Sequence, residues 1–154
     1  MEILAPAGSG DALTAAVRTG ANAVYLGGSR FSARAGAENF GREELAKAVR
    51  YCHARDVRVH LAVNTVLLEN ELAEAVDFVR FACTLPVDAV LIQDMGLFRI
   101  LRKSAPELKL HASTQTSVHT AAGARLLYKS GFCRLVLARE LSLKEISDIN
   151  ASCP

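Results

Sequence analysis

In the stretch "LHASTQTSVHT" (110–120), His111, Ser113 and Gln115 stand at alternate positions. A strand carrying them presents all three on one face. His111 is the residue best suited to chemistry, because a strand-end imidazole near neutral pH can serve as acid, base or ligand. Ser113 is the hydroxyl beside it, and these two are the catalytic candidates. Along an extended strand they stand ~6.5–7 Å apart, as neighbours rather than a preset Ser–His couple. The bland alternative is local: one of Ser113, Thr114 or Ser117 is expected to cap the helix that follows.

Polar or glycine residues close the other apolar segments too: Gly27 and Gly28, Asn64 and Thr65, Gln93 and Asp94, Arg139 and Glu140. Asn64, Gln93, Gln115, Arg139 and Glu140 are therefore candidate substrate-binding residues. Arg34 and Asn39, in the long loop "FSARAGAENF" (31–40), join them, Arg34 as a guanidinium able to reach an anionic ligand. Each has a structural role to weigh against this. Asp94 is well placed to cap the helix containing Leu97, and Arg139 with Glu140 can form a buried ion pair. His60 reads as a core histidine on the face of Asn64, whereas His53 and His119 fall on helices and are expected to be solvated. There is no G-x-S-x-G elbow, no H-E-x-x-H pair and no C-x-x-C. No metal site is predicted. Cys52, Cys83, Cys133 and Cys153 lie far apart and read as buried free thiols rather than disulfides.

The elements that must position these residues repeat one unit. Apolar segments at 2–6, 22–28, 57–64, 87–94, 108–113 and 133–139 read as strands. Helices are predicted after Ser9, near 42–54, over 69–83, behind Asp94, from about 117 to 129, and after the capping box "SLKE" (142–145). Strand–helix alternation at this spacing implies an α/β fold with a parallel sheet. "GSGDAL" (8–13) lacks the third glycine of a dinucleotide fingerprint, and Asp11 would repel a phosphate. The remaining choice is a TIM-barrel-like (β/α)8 architecture, of which about six units are present over 1–154 as a single, truncated domain. An open barrel leaves strand edges and an apolar interior exposed. Either more chain or a homo- or hetero-oligomeric partner is expected to close it.

Composition narrows the class. Hydrophobic residues make up 51% of the 154 and Trp is absent, yet no run of ~18 apolar residues exists to span a membrane. The N-terminus has no basic segment of the kind that opens a signal peptide, so a cytoplasmic protein is expected. The net charge of +2 is too small by itself to imply a nucleic-acid partner.

Taken in order, "LAPAGS" (4–9), "GANAVYLGG" (20–28), "FSARA" (31–35), "NFGREEL" (39–45), "VNT" (63–65), "VDAVLIQDMGL" (87–97), "LHASTQ" (110–115) and "VLARELSLKEI" (136–146) resemble the peptidase U32 family, also described as collagenase-like proteases. The resemblance covers nearly the whole chain. It implies the N-terminal barrel portion of such a protein, binding substrate at the C-terminal ends of the strands. It also implies an alternative, because several members are linked to hydroxylation of an rRNA or tRNA base or of a ubiquinone precursor. Some of those hold an iron–sulfur cluster on cysteines lying largely beyond the residues present here. The substrate is then a peptide, an RNA or a small aromatic, and no cofactor is assignable to this chain's own residues.

Overall fold

The computed structural model describes residues 2–33 and 38–153. Six parallel strands and six helices alternate: β1 (Leu4–Pro6), α1 (Gly10–Arg18), β2 (Ala23–Gly27), α2 (Arg42–His53), β3 (Arg58–Val63), α3 (Leu72–Thr84), β4 (Ala89–Ile92), α4 (Met95–Ser104), β5 (Leu110–Ala112), α5 (Ala121–Ser130), β6 (Arg134–Leu135) and α6 (Leu143–Ser152). The strands lie in sequence order, each hydrogen-bonded to the next, in one sheet that curls into a half-barrel. The TIM-barrel-like expectation holds.

Local chemistry sets most helix starts. Ser9 caps α1 by accepting from Ala12 N, and Asp94 caps α4 by accepting from Leu97 N at 2.8 Å. Ser142 and Glu145 close the expected capping box on α6. The predicted helix over 69–83 opens with a 3-10 turn at Glu69–Glu71 before α3. The helix after β5 departs further. A 3-10 turn occupies Thr114–Thr116, Ser117 takes a left-handed conformation with φ 53°, and α5 starts only at Ala121. Its cap is Thr120, which accepts from Gly123 N at 3.1 Å, and not Ser113, Thr114 or Ser117. A left-handed residue ends one turn and cannot begin the next, so capping passes three residues on.

Alternation along the strands divides the sheet's two faces. Val24, Leu26, Val59, Leu61, Val63, Val90, Ile92 and Leu110 share one core with buried helix residues such as Leu45, Val79 and Leu97. Each such side chain contributes about 1.5–3 kcal/mol when fully buried. The opposite, concave face follows the register Tyr25–His60–Ala89 and, one step higher, Ala62–Leu91–His111–Arg134. It interleaves the apolar Ala62, Ala89 and Leu91 with the polar Tyr25, His60, His111 and Arg134. The expected apolar interior is therefore only partial: most apolar burial is on the helix side, and the concave side adds hydrogen-bonding groups among its apolar residues.

The thiols also differ in part from expectation. Cys52 is buried, and burial pushes its pKa up to about 11, but Cys83 and Cys133 are exposed and Cys153 is half-buried; all are free. His53 is not simply solvated, because its Nε2 lies 2.8 Å from Asp88 Oδ2. No helix among the described residues is long and apolar enough to cross a membrane.

Candidate functional site

The register Ala62–Leu91–His111 fixes what lies above it. Two residues on, at one level and on the concave face, stand Asn64, Gln93 and Ser113. The C-terminal ends of β3, β4 and β5 therefore bring three of the predicted residues together at the mouth. Asn64 and Ser113 meet directly across the end of β4, with Asn64 Nδ2 donating to Ser113 Oγ at 3.0 Å. Asn64 Oδ1 accepts from Ala33 N at 3.1 Å, and its backbone N–H donates to Phe31 O. The loop after β2 is thus pinned to the ends of β3 and β5 through one side chain.

His111 sits one step below the mouth and is buried. It packs edge-on against His60, with ring centroids 4.9 Å apart. That contact was not anticipated, because it depends on the register across β4, which neither residue's neighbours encode. Burial first, then His60 and Arg134, drives the His111 pKa down to about 3; burial and Arg134 also lower that of His60. Both rings are neutral at physiological pH. Neither Nδ1 finds a hydrogen-bond partner among the described residues. No hydrogen bond joins His111 to Ser113 either, and the serine hydroxyl is instead engaged by Asn64 and, at 3.4 Å, by Gln115 N.

Beyond β5 and β6, Gln115, Arg139 and Glu140 line one recess of about 580 Å3, with Thr114, Ser117 and His119. That volume lies within the range of small-ligand sites. Gln93 opens on the adjoining recess, which Gln115 and Ser117 also line. Arg139 and Glu140 are exposed, and no ion pair joins them among the described residues, so the buried pair considered from sequence does not form. Asn39 stands apart. It adopts a left-handed backbone (φ 55°) and lines a separate recess between α1 and α2 with Leu13, Phe40 and Tyr51. Arg34 lies outside the described residues.

Below the histidines, the concave face ends in charge. Glu2 accepts from Arg134 through both carboxylate oxygens and forms an ion pair with Arg58 at 3.1 Å. Sequence reasoning missed this cluster, whose partners are spread over the whole chain. The cysteines do not fit a four-thiolate cluster: Cys52 is enclosed in the α2 core, and no three His, Cys, Asp or Glu side chains are placed to hold a metal ion among the described residues.

The family model for peptidase family U32 matches residues 8–154. An uncharacterized protease of Methanocaldococcus jannaschii is 37% identical over 97% of this chain and 36% of its own length. The 23S rRNA 5-hydroxycytidine C2501 synthase of Escherichia coli is also 37% identical, over 97% of this chain and 22% of its own. A tRNA hydroxylation protein P of Helicobacter pylori is 35% identical over 100% of this chain and 37% of its own. The chain spans roughly a third or less of these relatives. Among solved structures, a U32 peptidase superposes over 100% of this chain and 66% of its own with a TM-score of 0.76; at 17% identity that is a likeness of fold.

Proposed function

The chain belongs to peptidase family U32, and from that membership we propose that it forms the base-holding barrel portion of an RNA-hydroxylating protein that acts in the cytoplasm. Relatives named for rRNA and tRNA hydroxylation support RNA as the substrate class. The observation that carries the reading is the Asn64–Ser113 hydrogen bond. It commits Ser113 to a polar floor, while His111, too weak a base to hold a proton near neutrality, makes no hydrogen bond with the hydroxyl among the described residues. A nucleophile needs a base within hydrogen-bond reach, so this arrangement suits holding a ligand better than attacking a peptide bond.

In this reading Asn64, Gln93, His111 and Ser113 form the floor on which an unstacked base rests. Gln115 offers an amide edge, Arg139 meets phosphate or a base carbonyl, and Glu140 accepts from an exocyclic amine. These residues are assigned to binding and orientation only. Asn39, in its separate recess between α1 and α2, is not part of this floor. The family label and one relative's name keep a peptidase as the second reading.

The test uses the full-length natural protein. It is returned to cells lacking it, and hydroxylated nucleosides are measured by mass spectrometry of their RNA. Wild type is expected to restore a hydroxylated nucleoside, and Arg139→Ala or Gln115→Ala to restore roughly a tenth as much, the loss of one good hydrogen bond. If no nucleoside changes and the purified protein cleaves gelatin, the peptidase reading replaces this one.

A further inference from the structure

The hydrogen bonds of Asn64 fix more than the position of Ser113. A backbone N–H can only donate, so the Asn64 atom facing Ala33 N at 3.1 Å must be its carbonyl oxygen. The other end of the amide is then the NH2 group, and it is this end that lies 3.0 Å from Ser113 Oγ. The orientation of the amide follows from chemistry and needs no choice between nearly identical atoms.

Ser113 Oγ therefore accepts. It accepts a second time, at longer range, from Gln115 N at 3.4 Å. A hydroxyl has two acceptor positions and one proton, so both acceptor positions are taken and only the proton remains. Among the described residues no acceptor receives it, although Ser113 is only 1% exposed. A buried donor without a partner carries a cost that a ligand acceptor removes.

We infer that Ser113 is the hydrogen-bond donor of the barrel mouth, with Asn64 as the positioning residue that fixes this polarity, so that the mouth selects ligands presenting a carbonyl oxygen or an unprotonated ring nitrogen. The ligand class rests on the base-holding reading above, since such acceptors line the edges of every pyrimidine. The polarity itself rests only on the two hydrogen bonds of Asn64.

The decisive variant is Asn64→Asp. Its carboxylate still accepts from Ala33 N but cannot donate to Ser113. The serine hydroxyl then turns to donate to the carboxylate, which keeps the bridge and removes the free donor. With cytidine as the probe, titrated against the full-length natural protein by calorimetry, Asn64→Asp and Ser113→Ala are both expected to weaken binding roughly tenfold. Asn64→Asp should retain the thermal stability of wild type more closely than Asn64→Ala does. Unchanged cytidine affinity in Asn64→Asp would overturn the inference.

A second measurement needs no ligand and separates the two readings. The Asn64 side-chain amide resonances are expected to show one proton protected from exchange, and Ser113→Ala is expected to release it. If wild type binds no cytidine but this protection is present, the base-holding reading fails and the polarity stands. If both amide protons exchange freely and ignore Ser113→Ala, the polarity is wrong whatever binds.

Discussion

Glu2 grips Arg134 with both carboxylate oxygens, at 3.0 and 2.9 Å, across 132 positions of sequence. Glu2 leads into β1 and Arg134 begins β6, so the pair joins the first strand to the last across the concave face. Arg58, on β3, adds a third charge at 3.1 Å. The hydrogen bonds from Arg134 are the main reason that Glu2 titrates below the ordinary carboxylate range, and Glu2 in turn raises Arg134.

Because the side chains are partly exposed, the bridge stabilises the chain by a modest amount. Replacing Arg134 with Met is expected to cost about 1 kcal/mol in a urea titration, and less at high salt. Arg134→Lys should recover less than half of the loss, because an ammonium cannot make the two-pronged contact. The pH dependence follows from the depressed Glu2 value. Its contribution is present above the ordinary carboxylate pKa of 4.5 and is lost as pH falls through the lowered one. Equal stability of Arg134→Lys and wild type would refute the bidentate account.

The His60–His111 contact predicts a different pH window. Both imidazoles are held neutral in the folded state, and His111 is carried from 6.5 to about 3. The unfolded chain binds protons first as the medium acidifies. Stability is therefore full above pH 6.5 and declines as pH falls towards about 3, with His111 contributing at most about 1.4 kcal/mol per pH unit. His111→Gln keeps a polar side chain and removes the titration. Its stability, followed by urea denaturation from neutral pH to about pH 5, should fall less steeply than that of wild type. Parallel slopes would remove His111 as the cause.

Helix starts show how far local sequence reaches. Asp94 and Ser142 were legible as caps because the donors they satisfy lie three residues away. The cap of α5 was not, because a 3-10 turn and the left-handed Ser117 intervene and no residue type announces them. Thr120→Ala is accordingly expected to cost about 1 kcal/mol, measured by thermal or urea denaturation. Ser117→Gly should cost little, since its φ of 53° suits glycine, whereas Ser117→Val should destabilise. A larger loss from Ser117→Ala than from Thr120→Ala would return the cap to the position expected from sequence.

The same division runs through the site. Six strands and the polar residues at their ends follow from apolar periodicity, which operates over a few residues. That alternation places His111 and Ser113 on one face, and His60 and Asn64 on one face. It does not supply the register between strands, so the His60–His111 contact and the Asn64–Ser113 bridge over β4 were not visible. The concave face was misjudged for a related reason. A short strand that is apolar overall gives no sign that Tyr25, His60, His111 and Arg134 come together on one side.

Asp88 is the clearest case of a residue whose role exists only in three dimensions. Its Oδ2 accepts from Val59 N at 2.7 Å and lies 2.8 Å from His53 Nε2, while its own N–H donates to Val59 O at 2.9 Å. One side chain thus joins the end of α2 and the start of β3 to the residue before β4. Val59 is buried and its bond to the carboxylate is half-buried, so removing the carboxylate leaves its N–H without its protein partner. Asp88→Ala is expected to cost about 1–3 kcal/mol for that reason. Asp88→Asn keeps a carbonyl oxygen for Val59 N, and His53→Ala leaves that bond untouched, so both should cost clearly less. Urea denaturation of the three variants orders the contributions. If His53→Ala proved the most damaging, the imidazole contact rather than the backbone one would be what secures the join between α2, β3 and β4.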